Sequence, residues 1–264
     1  MQKLKDHTFV IPAHQNSVYL ETCIQSLFAQ SVASNIIITT STPNEFVEQL
    51  AIKYELEYHV NTGIKGIAAD WNFALSKSST ALVTLAHQDD IYEPNYTAEI
   101  KKAFAQQNNI QIAFTSYKDI INGKIRPIGL NSLVKHLLLS PFLLSKYINN
   151  KALKRAILIF GDPICCPSVT FNKTTLGSEF KFDHEYQCAL DWLAWYQLAH
   201  QTGTFVYINR KLMQHRIHSD SETTNQLNNG RRKKEEQQIF QMIWGKSLAK
   251  IINKFYTIGH KENL

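Results

Sequence analysis

A chain of 264 residues, 44% hydrophobic and 19% charged, can bury one medium-sized core with a small appendage, which excludes wholesale disorder and fibrous repeats. Its net charge of +6 is unevenly spread: residues 120–160 hold seven Lys/Arg and no Asp/Glu, residues 231–264 hold eight Lys/Arg against three Glu, and the rest sums to −6. The asymmetry excludes a uniformly basic protein and points to a membrane or polyanion partner for two segments.

The start, MQKLKDHTFVIPAH, lacks the apolar run of a signal peptide. Residues 7–12 read as a strand stopped by Pro12. Leu20, Cys23, Ile24, Leu27 and Phe28 recur at helical spacing. Residues 35–40, with three consecutive isoleucines, read as a buried parallel strand. Thr42, Pro43 and Glu45 read as a capping box with Thr42 at the N-cap, opening a helix that presents Phe46, Val47, Leu50 and Tyr54 on one face. Residues 56–60 form a short strand, and Gly63 and Gly66 open a helix to about residue 77. Residues 81–86 form a fourth strand, ending at His87-Gln88-Asp89-Asp90. This βαβαβαβ order predicts a parallel sheet with helices on both faces and ligands at the carboxyl ends of its strands.

After residue 90 the regular alternation stops. Residues 110–117 predict a strand, 120–160 helical structure, 186–201 a helix with Leu190, Leu193, Ala194 and Leu198 inward, and 204–208 a strand. The last segment predicts one amphipathic helix, with Ile239, Phe240, Ile243, Trp244, Leu248, Ile251, Ile252 and Phe255 at i, i+3, i+4 spacing. The most apolar stretch, 128–148, is broken by Lys135, His136, Pro141 and Lys146, so no transmembrane helix is expected. Cys23, Cys165, Cys166 and Cys188 lack zinc-ligand spacing and read as buried thiols in a reducing cytosol.

Asp89 and Asp90 follow a buried strand directly. Adjacent carboxylates repel unless a positive group sits beside them. A hard divalent cation shared with phosphate oxygens would serve; so would the dipole of a helix starting near Glu93-Pro94.

The chain resembles the family 2 glycosyltransferases of the GT-A fold. The resemblance starts at Phe9-Val10-Ile11-Pro12 and Ser26-Leu27-Phe28-Ala29-Gln30. It continues through Asn61-Thr62-Gly63 and Asp70-Trp71-Asn72-Phe73-Ala74-Leu75 to the family's DxD position at His87-Gln88-Asp89-Asp90. It ends at Ala189-Leu190-Asp191-Trp192-Leu193 and His215-Arg216-Ile217-His218, covering roughly residues 7–222. Two departures stand out. His87 replaces the first aspartate of the metal motif, and Thr39-Thr40-Ser41-Thr42 replaces the base-reading aspartates after the second strand.

The resemblance implies an α/β fold, a Rossmann-like mostly parallel sheet with flanking helices. The catalytic domain is expected over 1–222, with 120–160 as a basic helical insertion on the acceptor side, and a basic amphipathic helical extension over 223–264. It implies an inverting, metal-dependent hexosyltransferase-type enzyme. This would move a sugar from a nucleotide-sugar, by default UDP-linked, to a glycan, lipid-linked or protein-linked hydroxyl, as in bacterial surface polysaccharide synthesis. Asp191 is the expected general base, and Asp89 and His218 the expected ligands of Mn2+ or Mg2+. Pro12, Ala13, His14, Ser41, Thr42, Gly63, Asn72, His87, Gln88, Asp89, Asp90 and Arg216 are expected on the donor side. Pro167, Ser168 and Trp192 are expected on the acceptor side. Trp71 and Trp192 either stack on sugars or belong to the core.

Two readings of the basic segments stand side by side. Either their apolar stripes pack on the catalytic domain, or they lie on an anionic membrane at the inner face of the plasma membrane of an otherwise cytoplasmic protein. Monomer and oligomer are both open. Nucleic acid is disfavoured, because neither an aromatic-basic sheet face nor a recognition helix occurs. A nucleotidyltransferase would need a Gly-rich basic loop where this chain has Pro12-Ala13-His14-Gln15-Asn16, and a non-catalytic binding module is the remaining alternative.

Overall fold

The computed structural model describes residues 6–127, 129–218 and 230–256, apart from the side chain of Phe255. Strand β1 (His7–Ala13) shows how the sheet is built. Successive side chains of a strand point to opposite faces. Accordingly Phe9 and Ile11 enter one core, and Val10 enters the other. Helices cover both faces, so the strand is apolar almost throughout.

The chain runs β1, α1 (Leu20–Phe28), β2 (Asn35–Thr40), α2 (Glu45–Lys53), β3 (Glu57–Val60), α3 (Ile67–Lys77) and β4 (Leu82–Leu85). It continues through β5 (Ile91–Tyr92), α4 (Tyr96–Phe104), β6 (Ile110–Ile121), β7 (Lys124–Ile125), α5 (Leu130–Leu138), β8 (Tyr147–Ile148) and α6 (Lys151–Ala156). The last elements are β9 (Val169–Asn172), α7 (Lys173–Leu176), α8 (Leu190–His200), β10 (Thr204–Ile217) and α9 (Arg231–Tyr256). The strand order is β3-β2-β1-β4-β9-β6-β10-β5, with β7 on β6 and β8 on β10. The first four strands pair in parallel; β9 is antiparallel to both neighbours, and β10 is again parallel to β6. Helices α1, α2 and α4 pack on one face, and α3, α8 and α9 on the other. This is the expected mixed α/β architecture with a mostly parallel central sheet, flanking helices and a C-terminal helix.

Several elements depart from the sequence reading. The N-cap of α2 is Asn44, whose side chain accepts from Val47 N at 3.0 Å, and Thr42 instead accepts from Gln15 N at 2.8 Å. Phe46 is exposed; Ala51 joins Val47 and Leu50 inside. Strand β10 runs to Ile217, well past residue 208, through register shifts around Lys211. The C-terminal helix is not straight. Gly245 has φ +74°, in the left-handed region glycine favours. Asn253 Nδ2 donates to Lys233 O at 3.3 Å and to Gln237 Oε1 at 2.9 Å. In a straight helix those ends would lie about 30 Å apart, so the second half doubles back on the first at Gly245.

The two basic segments also behave differently from a uniform membrane face. Ile239, Phe240 and Ala249 of α9 are fully buried, whereas Leu248 and Ile251 are exposed. The expected boundary at residues 222 and 223 lies outside the described residues. In the first segment Lys154 is fully buried, its ammonium donating to Gln111 Oε1, Gln201 O and Gly203 O at 2.8, 2.9 and 2.8 Å. Lys154 is therefore an internal tie rather than a surface charge. Helix α5 buries none of its residues.

Candidate active site

The carboxyl ends of β1, β2 and β4 lie side by side because these strands pair in register, Ala13 opposite Thr40 and Val10 opposite Leu85. Gln88 ties two of the loops that follow. Its Nε2 donates to His14 O at 3.1 Å, and its Oε1 accepts from His14 N at 3.0 Å. Ser41 Oγ donates to Asp70 Oδ2 at 2.7 Å, and Asn61 Nδ2 donates to Asp70 Oδ1 at 2.9 Å. Asp70 thereby sets a carboxylate beside the stretch after β2.

Asp89 stands at the centre of this wall. Its Oδ1 accepts from Ser17 Oγ at 2.6 Å, and its Oδ2 lies 3.3 Å from His218 Nε2. The extension of β10 to Ile217 is what delivers His218 and Arg216 here. Arg216 Nε donates to Asp89 O at 2.9 Å, its backbone N–H donates to Asp90 Oδ1 at 2.9 Å, and its guanidinium lies 4.2 Å from the Tyr19 ring centre. Asp90 is buried, and burial lifts its carboxyl to about 6 against the pull of His215 and Arg216. His87 is pushed down to about 4 by burial and by the charge of His215, so its imidazole is neutral. It packs 5.0 Å from the ring of Trp71. His215 itself is paired with Asp119 at 2.9 Å. Burial pulls its imidazole down, but Asp119 and Asp90 outweigh that and leave it above the ordinary value.

A carboxylate and an imidazole converging on one point form a donor pair that fits Mn2+, and Mg2+ less well. Among the described residues no group of three or more His, Cys, Asp or Glu is arranged to hold a metal. A cation here would therefore draw its remaining ligands from substrate oxygens or water.

A cavity of about 710 Å³ joins this wall to a second one, built from α8, α5, α9 and the loop at 162–167. Asp191 sits in the first turn of α8, and its Oδ1 accepts from Trp192 N at 2.9 Å. Burial raises its carboxyl above the ordinary range, against the Trp192 N–H and the charges of Arg232 and Lys135. Asp162 lines the same cavity, and burial together with the charge of Asp191 raises it well above the usual carboxylate value. Like charges in one site force one of the two to keep its proton. Lys135, from the first basic segment, donates to Tyr117 OH at 2.8 Å; Arg232, from the second, pairs with Glu236 at 2.9 Å. Both line the cavity.

Pro12, Ala13, His14, Ser41, Thr42, His87, Gln88, Asp89, Asp90, Pro167, Asp191, Trp192 and Arg216 all line this cavity. Three of the expected residues do other work. The Asn72 amide exchanges two 2.8 Å hydrogen bonds with the backbone of Phe182, and so clamps that loop. Gly63 N donates to Asn61 Oδ1 at 3.1 Å inside its own turn. Ser168 is fully buried and donates to Cys165 O at 2.7 Å. Trp192 and Trp71 are core residues; the Trp192 indole donates to Leu158 O at 2.9 Å and meets Phe240 edge-on. Burial pushes the Cys165 and Cys166 thiols up, which leaves them inert.

The family model described as Glycosyl transferase family 2 matches residues 8–171. No curated protein matches the chain. Among solved structures, the 1–349 fragment of S. aureus TarS superposes with a TM-score of 0.62 at 13% identity, over 81% of this chain and 60% of that one. The same fragment in complex with UDP-GlcNAc gives 0.60 at 14%, over 84% and 61%. Glucosyl-3-phosphoglycerate synthase from Mycobacterium tuberculosis, in complex with Mn2+ and UDP-glucose, gives 0.54 at 16%, over 85% and 77%. The chain thus spans about 60% of the length of the TarS fragment. At these identities the likeness establishes the fold, which is GT-A. The family match takes in more than half of the chain and includes Asp89 and the ends of β1, β2 and β4 beside it, though not Arg216 and His218. The chain belongs to glycosyl transferase family 2.

Proposed function

We propose that the protein is an inverting, metal-dependent glycosyltransferase. In this reading it moves a sugar from a UDP-sugar to a hydroxyl of a glycan, lipid-linked or protein-linked acceptor, within bacterial surface polysaccharide or glycoconjugate synthesis. The observation that carries the reading is one cavity lined by both Asp89, with His218 behind it, and Asp191. Residues 1–222 form the catalytic domain and 223–264 its extension.

The residues divide the work. The backbone at Pro12, Ala13 and His14, with Ser41 and Thr42, borders the nucleoside, and Asp70 supplies the carboxylate that the stretch after β2 lacks. Arg216, held over the Tyr19 ring, presents its charge to the diphosphate. Asp89 and His218 would hold Mn2+ or Mg2+, which would supply Lewis-acid stabilisation of the diphosphate leaving group. Asp191 takes the proton of the acceptor hydroxyl as that oxygen attacks the anomeric carbon. The bond from that carbon to the diphosphate oxygen breaks on the opposite face, and the configuration inverts. Burial raises the proton affinity of Asp191, which suits it to this task.

The acceptor wall includes α5, whose Leu130, Leu133 and Leu137 are exposed. An acceptor carried on an anionic membrane, at the inner face of the plasma membrane, suits that surface. The test is release of UDP from UDP-glucose and UDP-N-acetylglucosamine with Mn2+. Wild type is expected to turn over one of them slowly without acceptor. Asp191→Asn is expected to lose about 100-fold or more in turnover, with donor binding within about twofold. Near-normal turnover of the variant overturns the base. Failure of every UDP-sugar to bind with metal overturns the donor class.

A further inference from the structure

Helix α8 begins badly. Its N-cap is Ala189, which has no side chain able to cap, and the amides that precede the first turn need acceptors. They find one in a residue 46 positions further along the chain. Glu235, on the first half of α9, accepts from Gln187 N at 3.0 Å, Cys188 N at 2.8 Å and Ala189 N at 3.0 Å. The carboxylate is almost wholly buried, at 4% exposure. A carboxylate at a helix N-terminus also meets the positive end of the helix dipole.

The attachment does not rest on Glu235 alone. Trp192, the residue after Asp191, meets Phe240 of α9 with ring centres 4.9 Å apart, and Tyr256 from the returning half at 5.8 Å. Trp244 Nε1 donates to Ile159 O at 2.8 Å, which fixes α9 to the segment leading to Asp162. Arg232, one turn before Glu236, reaches into the cavity. None of these residues falls within the family match over 8–171, apart from Ile159 and Asp162.

We infer that the C-terminal helix is a working part of the catalytic site: Glu235 caps, from a distant part of the chain, the helix that carries Asp191, and so holds the general base in its working position. This rests on the reading of Asp191 as the base. Glu235 is a positioning residue. It lines no part of the cavity and acts through three amides two to four residues before Asp191. The wall around Asp89 is built from β1, β2, β4 and β10 and owes nothing to it. Loss of Glu235 should therefore damage the chemical step and spare donor binding, whereas a general structural role would damage both.

The experiment compares wild type, Glu235→Ala, Glu235→Gln and Asp191→Asn, with UDP-glucose and UDP-N-acetylglucosamine as donors and Mn2+ present. Glu235→Ala is expected to lower kcat at least about tenfold with the donor KM within about twofold. Glu235→Gln keeps one acceptor oxygen and should recover part of the loss; it also carries the test if the alanine variant does not fold. Amide hydrogen exchange at residues 187–189 should speed up at least about tenfold in the variant while the strands of the sheet keep their protection. Turnover within twofold of wild type, unchanged exchange at 187–189, or a donor KM that rises in step with the loss of kcat overturns the inference. If Asp191→Asn keeps its turnover, the base reading fails first. If Asp191→Asn is dead and Glu235→Ala is not, only the cap fails. If wild type turns over neither donor, the donor reading is at fault, and exchange at 187–189 still decides the cap.

Discussion

Asp90 pays for its place. It is 2% exposed, its Oδ1 accepts a single backbone N–H, and its Oδ2 has no partner among the described residues. Burial lifts its carboxyl to about 6, above the unfolded value of about 4. The stability this group contributes is thus fully present below about pH 4 and is lost as the pH rises through about 6. Above that range an ionised carboxylate is locked in a dry place. Asp90→Asn, without metal or nucleotide, is expected to raise Tm by a few degrees at about pH 7.5 and by less at about pH 4.5. Melting curves at the two pH values check it; an equal gain at both would contradict the account. Asp89 and Asp191 were legible in the sequence because each stands in a motif of fixed order. Asp162, Lys135 and Arg232 were not, because only packing brings residues so far apart in the chain to one cavity. The turn signal Gly161-Asp162-Pro163 was visible, but it marks a bend and says nothing of what the aspartate faces. Glu235 left a fainter trace, as an acidic pair directly after the basic run 231–234.

At the scale of elements, the N-terminal half was legible because parallel strands covered on both faces read as apolar runs; residues 35–40 were predicted as a strand and β2 is Asn35–Thr40. Strand β9 sits in the middle of the sheet, yet it has only four residues, so its apolar/polar alternation is too short to stand out. The second half of β10 was hidden by Asn209-Arg210-Lys211, a polar run at a register shift. The cap of α2 was misplaced by two residues, since Thr42 and Asn44 are both good caps and only geometry separates them. Asn44→Ala is expected to cost about 1 kcal/mol in stability, measured by urea unfolding. An unchanged midpoint would mean that Asn44 is not the cap.

For the whole molecule, the division of charge acquires a shape. Three of the basic residues, Arg126, Lys135 and Arg232, line the cavity, and Lys154 is internal. What remains outside on the first segment is an apolar stripe, Leu130, Leu133, Val134 and Leu137, followed by Leu143 and Leu144 at 79% and 94% exposure. Lys124, Lys146 and Lys151 lie exposed in the same segment, which has no acid to oppose them. No helix among the described residues is long and apolar enough to cross a membrane. The expected behaviour is therefore attachment to a surface: co-sedimentation with vesicles containing phosphatidylglycerol at low salt, weakening as salt rises, and lost in Leu133→Asp/Leu137→Asp. Absence of binding at low salt would remove the membrane from the account. The doubled-back helix at Gly245 has a consequence in time. Chains emerge from the ribosome N-terminus first. A chain grown to residue 230 already has every described strand of the sheet and the described residues around Asp89, but Gln187, Cys188 and Ala189 still lack their carboxylate partner. On the inferred role of Glu235, the nascent protein passes through a stage that can recognise a donor before it can use one.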